Sequence, residues 1–496
     1  MDGRWVDLGL GTISPIRDDA GNVQLRIFTR LDEPQYKISP YKELFTDKEI
    51  ERLETDGHLG STKKMKDFTS GRECECYVSV HEATNRLTTL PVDALTLPTR
   101  IYGKEIGDDI EALRIGMYNK VQEGPTYYSY IAFDLFGGEL MTSTGRPIDL
   151  INSLSNALHT FVSSQWNGYY KALLQVNNVM SIAEGLADSP TRNRVLGECR
   201  YFRAYIYLCL VTRFGDVPVL RQNTQAKVSR DPASMAWELV EEDLDAASGF
   251  LNGLSADSFY YVSPAAVTAL KARVKLYLGK KGEAKELAES LIANPNYALD
   301  DFDKIFRSKA NKEVIFAFSC LTEDGSSIKI SNQFYSYNHP NKGSYNYRPA
   351  GDVMTMYADN DLRKEVSITT LDNLNFVNKY PSGQTGSDPV VISRLAEMYL
   401  ISAEAQGLNG GLDRLNELRE KRGLDRVSPG NEADFLDAVL QERRLEFLAE
   451  GFRWYDLVRT GKATQTLGTK DYQCLMPLPS RELLYNPNLK PNNPGY

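Results

Sequence analysis

The strongest constraint on the fold is a recurring unit in which two helix-period stretches flank a glycine-containing turn, with alanine where helices would cross. Val262–Leu299, VSPAAVTALKARVKLYLGKKGEAKELAESLIANPNYAL, places Ala266, Ala269, Ala272, Ala284 and Ala288 at such positions. Val391–Leu424, VISRLAEMYLISAEAQGLNGGLDRLNELREKRGL, repeats the scheme with Ala396, Ala403 and Ala405 around a turn at Gly407–Gly411. Small side chains let helix backbones approach closely, and one pair alone cannot bury its apolar face. The pattern therefore predicts a mainly α chain of stacked helix pairs.

Helical periodicity begins near Asp108. Ile110, Leu113, Met117 and Val121 recur at helical spacing, and Phe161–Leu186 carries a broad apolar stripe. The next helix opens at Ser189-Pro190, a cap followed by proline at its first turn, and stops at Gly215 and Pro218. Helix pairs of this size match degenerate tetratricopeptide-like repeats, expected over about 108–292 and 390–460 within a domain spanning 104–496. Between about 295 and 389 the period is lost. A strand is expected in NKEVIFAFSC, followed by the Tyr/Asn-rich SNQFYSYNHPNKGSYNYRPAGDVMTMY, a loop-rich lobe on the helical scaffold. Residues 1–103 read differently. Short alternating runs at Val23–Phe28 and Cys76–Val80, with a helix near Thr46–Thr55, suggest a small α+β or mostly β extension joined by a linker at Leu95–Asp109.

Composition removes several functions. The chain has 496 residues and a net charge of −9, which disfavours nucleic acid as a partner. No apolar run approaches the roughly 20 residues of a membrane span. The six cysteines and four histidines lack metal-ligand spacing, so no metal site and no disulfide framework are inferred; Cys199 and Cys209 read as buried small hydrophobes. No metalloprotease, nucleophile-elbow or P-loop motif occurs, and the acidic run Glu238–Ala247 reads as a solvated helix face. The chain is expected not to be an enzyme. Its 28 tyrosines are compatible with a binding surface, because tyrosine offers a ring face and a wet hydroxyl together.

One stretch threads charge through an apolar face. In Glu442–Ala463, ERRLEFLAEGFRWYDLVRTGKA, Arg444 falls in line with Leu440 and Leu448. Buried charge persists only when paired. The expectation is a structural clasp in which Arg444 and Glu446 or Glu450 bridge packed helices, while Trp454 and Tyr455 lock the chain toward its C-terminal N-P-G-Y.

Three stretches together resemble the SusD/RagB family of Bacteroidetes outer-membrane nutrient-binding lipoproteins: ECRYFRAYIYLCLVTRFGDVPVL (Glu198–Leu220), the clasp stretch, and the closing LMPLPSRELLYNPNLKPNNPGY. Arg394–Ala405 and Tyr357–Lys364 support it, and the resemblance covers about Leu97 to Tyr496. It implies four tetratricopeptide-like helix pairs carrying a loop-rich ligand-binding lobe. It also implies capture of a glycan, or of a peptide in the RagB branch, at the cell surface, and delivery to a SusC-like TonB-dependent transporter. Neither catalysis nor a dissociable cofactor is implied, although some members hold a structural calcium. An intracellular tetratricopeptide adaptor is the alternative from another class. Family members begin with a lipoprotein signal and a lipidated cysteine; neither is visible in this chain, whose first cysteine is Cys74. Residues 1–103 therefore read either as an unusual extension or as a gene-model fusion.

Ligand contacts follow from chemistry. Sugars are held by aromatic faces and planar polar groups. The best source is Phe334, Tyr335, Tyr337, Asn338, Tyr345, Asn346, Tyr347 and Arg348; the second is Tyr127, Tyr128 and Tyr130.

Overall fold

The structure is a computed structural model. It describes strands at 13–17, 23–27 and 36–37, and residues 43–55, 58–59, 61–66, 73–81, 86–91, 105–142, 157, 159–307, 310–320 and 328–496. The chain divides into two compact units, Met1–Ile106 and Gly107–Tyr496. The expected linker lies outside the described residues up to 104, and its last residues are already helical.

In the first unit β1 (Ile13–Arg17) and β2 (Val23–Ile27) form an antiparallel hairpin. Strands β3 (Tyr36–Lys37), β4 (Lys63–Lys66), β5 (Glu73–His81) and β6 (Arg86–Pro91) make a sheet ordered β3-β6-β5-β4. Helix α1 (Asp47–Thr55) starts with a reciprocal cap: the Thr46 amide donates to Glu49 at 2.8 Å, and the Glu49 amide donates to the Thr46 hydroxyl at 3.4 Å. Leu53, Cys76, Val78 and Leu87 close a small core.

The second unit is mainly α. It opens with α2 (Glu105–Glu123), α3 (Thr126–Phe136) and a short strand β7 (Leu140–Thr142). The scaffold helices follow: α4 (Thr160–Glu184), α5 (Pro190–Phe214), α6 (Ala233–Phe250), α7 (Pro264–Tyr277) and α8 (Lys281–Ile292). Ser189 caps α5 by accepting from the Arg192 amide at 3.1 Å, and Ser263 caps α7 in the same way from Ala266. Helix α5 packs on α4 and α6, and α7 on α8. Ala266, Ala269, Ala272, Ala284 and Ala288 are all fully buried, which is what close helix crossings require. A methyl group on Gly168 would lie 2.2 Å from the Gly124 carbonyl oxygen, so only glycine lets α4 approach the turn before α3.

The loop-rich lobe begins with α9 (Phe302–Arg307) and β8 (Val314–Phe318), the strand expected from VIFAF. It continues through β9 (Tyr347–Pro349), α10 (Lys364–Ser367), the hairpin β10 (Ile368–Leu371) and β11 (Leu374–Val377), and β12 (Val390–Arg394), which pairs with β8. The scaffold resumes with α11 (Leu395–Lys421), broken at Gly407 where φ is +68°, and α12 (Glu432–Glu446). Three short helices complete it: α13 (Arg453–Arg459), α14 (Ala463–Leu467) and α15 (Ser480–Tyr485). The buried Asn493 side chain of N-P-G-Y donates to the carbonyls of Phe214 and Met476 at 2.9 and 2.7 Å, fixing the tail to the end of α5.

The clasp stretch is two helices, not one. Helix α12 ends at Glu446, and Ala449 and Gly451 turn the chain with φ of +59° and +82°. The pairing differs from expectation. Arg444 reaches Glu139 at 3.3 Å and Asp352 at 2.6 Å instead of Glu446 or Glu450, because its side chain leaves α12 toward β7. Glu446 is fully buried and accepts from Arg363 at 2.9 Å, Arg394 at 2.5 Å and Arg422 at 2.8 Å. Glu450 binds Arg394 and Lys379 at 2.9 and 2.7 Å. Burial by itself would raise the Glu446 carboxyl, but Arg422, Arg394 and Arg363 outweigh it and hold the group well below the carboxylate range. Trp454 and Tyr455 pack on Phe136 and Phe133 of α3, at 5.6 and 3.8 Å between ring centroids, and not on the C-terminal tetrapeptide. The acidic run of α6 also needs correcting: Asp243 within it is fully buried and bound by Arg203 at 2.6 Å and Arg200 at 2.9 Å.

Candidate ligand-binding site

Helix α3 starts without a side-chain cap, and Thr126, a β-branched residue, sits at φ +60° just inside it. A β-branched residue rarely adopts that conformation, and such strain gathers at binding sites. It places Tyr127 and Tyr128 side by side, half-buried, with ring centroids 4.4 Å apart and Tyr128 edge-on to Phe161 at 5.3 Å. Strand β7, which follows α3 directly, pairs with β9 so that Thr142 faces Tyr347. The two stretches of candidate tyrosines therefore meet. Burial, with the Tyr128 and Tyr347 hydroxyls beside it, pushes the Tyr127 phenol up. Tyr347 is itself mostly covered, so it supports the pair more than it presents a face. Tyr130 is turned inward one helical step later, and its hydroxyl donates to the Gln122 carbonyl at 2.5 Å.

Asn332–Arg348 is an ordered loop. The Ser344 amide donates to the Asn332 carbonyl at 2.7 Å and the Tyr345 amide to the Tyr335 carbonyl at 2.9 Å. Lys342 and Tyr345 occupy the left-handed region at φ +50° and +48°. Its side chains divide by exposure. Tyr337 is 76% exposed with the Lys342 ammonium 5.9 Å above its ring, and Asn338 is exposed beside it. Asn346 is exposed and donates to Gln333 at 2.7 Å. Tyr345 lies half-buried on Phe376, its hydroxyl donating to the Asn375 carbonyl at 3.1 Å.

Phe334 and Tyr335 are corrected from ligand contacts to supports, and Tyr130 with them. Phe334 and Tyr335 have no exposed surface: the 3-10 turn Ile330–Gln333 directs Phe334 onto Tyr380 and Tyr335 onto Phe376. Burial pushes the Tyr335 phenol up to about 12. Arg348 is half-buried on the opposite face of β9 from Tyr347, opposite Met141, with its Nε enclosed and without a hydrogen bond. Lys342 was missed by sequence reasoning, which searched for aromatic and amide groups; a lysine four residues before Asn346 in a loop free of acids was the available signal.

What these elements define is a helix-pair scaffold that presents an aromatic and amide surface from ordered loops. Residues 373–474 match the family model described as the SusD family, and residues 96–278 match one described as starch-binding and associating with the outer membrane. SusD-like protein P38 of Formosa agariphila is 27% identical over 424 residues, 70% of this chain and 82% of that protein. A SusD superfamily protein of Bacteroides vulgatus superposes with a TM-score of 0.69 at 21% identity, over 79% of this chain and 99% of that one. Surface glycan-binding protein A from Bacteroides fluxus superposes with a TM-score of 0.67 at 21% identity, over 78% and 99%. The chain belongs to the SusD/RagB family.

Proposed function

We infer that the chain is a non-catalytic nutrient-binding protein that captures a glycan at the outer membrane and passes it to a SusC-like TonB-dependent transporter. The observation that carries the glycan is the half-exposed Tyr127–Tyr128 pair, two rings 4.4 Å apart on a fixed helix end. A sugar ring has an apolar face that lies on an aromatic ring and hydroxyls that need planar polar partners. Tyr337, Asn338 and Asn346 supply those at the exposed loop. The names of relatives support the same reading, since one is a surface glycan-binding protein and a matching family model is described as starch-binding. Peptide capture and an adaptor role have no specific observation in their favour.

The test is calorimetry with a panel of oligosaccharides and a panel of oligopeptides, against the native protein and Tyr127→Ala/Tyr128→Ala. Saccharide binding weakened about 10-fold or more in the variant, with an unchanged melting temperature, is expected. Peptide binding alone would overturn the reading. Recovery of a TonB-dependent barrel with the native protein from detergent-solubilised outer membrane tests delivery.

A further inference from the structure

Eight arginines of the described residues are buried, and seven of them have a carboxylate within 3.0 Å. Arg213 on α5 is the exception. It is 3% exposed, and neutral acceptors take all of its donors. Gln165 accepts from Nε at 2.8 Å, the Cys209 carbonyl and the Tyr455 hydroxyl from Nη1 at 3.0 and 2.5 Å, and the Ser129 carbonyl and hydroxyl from Nη2, both at 3.2 Å. The rings of Phe133, Tyr169 and Tyr455 surround the guanidinium at 4.4 to 5.8 Å from their centroids. Quadrupoles of that kind moderate a buried cation but do not neutralise it.

Arg213 also lines a cavity of about 70 Å³ between α3, α5, α7 and β12. Groups able to donate a hydrogen bond line the same space, and so does the Glu450 carboxylate, whose two oxygens are already committed to Lys379 and Arg394. Tyr205 is 8% exposed, and its hydroxyl has no hydrogen-bond partner among the described residues. The same holds for the hydroxyl of half-buried Tyr277. Arg273 commits Nε and Nη2 to Glu397 and the Ile392 carbonyl, which leaves Nη1. One cation without a carboxylate partner, two tyrosines and a second arginine with a spare nitrogen thus line one small space. Its volume exceeds the roughly 15 Å³ one water needs.

We propose that this cavity is a binding site for a compact monovalent anion, a halide or the carboxylate of a small acid, held against Arg213 with Tyr205, Tyr277 and Arg273 donating to it. The anion supplies the counter-charge that the chain itself does not place beside Arg213, and it ties α3, α5 and α7 together. It is separate from the glycan reading, which stands whether or not an anion binds.

The test uses the full chain. Thermal unfolding is measured in sodium chloride, sodium formate and sodium gluconate at equal ionic strength, for the native protein, Arg213→Met and Tyr205→Phe/Tyr277→Phe. A saturating rise of several degrees in chloride or formate over gluconate is expected for the native protein. It should be absent in Arg213→Met and reduced in the double variant. A rise in chloride alone identifies a halide, and one in formate alone a carboxylate. Crystals soaked in bromide should show an anomalous peak within hydrogen-bond distance of the Tyr205 hydroxyl if the anion is a halide. If Arg213→Met does not fold, the double variant decides. Equal melting in all three salts, or the same response in native and double-variant protein, overturns the proposal.

Discussion

Replacing Glu446 by glutamine removes one charge from a balanced buried cluster, and the structure sets the size of the effect. Five carboxylates (Asp361, Glu313, Glu442, Glu446 and Glu450) face five cations (Arg363, Arg394, Arg419, Arg422 and Lys379), joined by contacts of 2.5 to 2.9 Å. Glu446 alone touches three of the arginines. Each such pair is worth about 4 kcal/mol gross at 4 Å and an effective dielectric of 20, and several kcal/mol of carboxylate desolvation is set against the sum. Glutamine keeps one acceptor and turns an amide toward guanidinium groups, so the cluster carries one unmatched positive charge. The expected loss is about 3–5 kcal/mol. Gly107–Tyr496 is about 390 residues. At about 2.1 cal/mol/K per residue its unfolding entropy is roughly 0.8 kcal/mol/K, so the melting temperature should fall by ~4–6 °C. Scanning calorimetry measures this, with saccharide titration of the folded variant alongside. A drop below about 1 °C, or a loss of affinity with melting unchanged, would refute the argument.

The pH response has the same origin. Because the arginines hold Glu446 well below its ordinary value, its contribution is complete above the unfolded carboxylate range near 4.5. It is lost as pH falls through the folded value, so native stability should decline below about pH 4.5, and less steeply in Glu446→Gln when both are followed by urea midpoints. Arg444→Ala leaves the buried Glu139 without its arginine but has a solvent-exposed second partner in Asp352, so denaturant unfolding should show about 1–3 kcal/mol lost with affinity retained. Phe334→Ala should cost about 3–5 kcal/mol by the same measurement, because it empties a fully buried stack on Tyr380. Gly407→Ala places a β-carbon at φ +68° and 3.0 Å from the Glu432 carboxylate, and should lower stability by about 1–2 kcal/mol.

How much of this was legible in the sequence depends on the range over which each feature is encoded. Helix pairs, their alanine crossings, the Ser189 cap and the turn at Gly407 are written within one or two turns, and periodicity with cap and turn residues recovers them. The composition of the tyrosine surface was equally visible, but its sorting was not. Tyr335 and Tyr337 differ by two positions, yet one is fully buried and the other 76% exposed. In a loop no period assigns faces; Tyr380 and Phe376, supplied more than forty positions later, do so. Charge pairing is more distant still. Arg444 meets a glutamate 305 positions away, and the partners of Glu446 come from β12 and from segments near residues 363 and 422, so a search for acids three or four positions along the helix could only misassign them. Arg213 is the limiting case. Nothing near it in sequence distinguishes it from the seven buried arginines that are paired, because lacking a carboxylate is a property of the whole fold around it. A group whose counter-charge is missing from the chain is therefore where a ligand is best sought, and where sequence reasoning has least to offer.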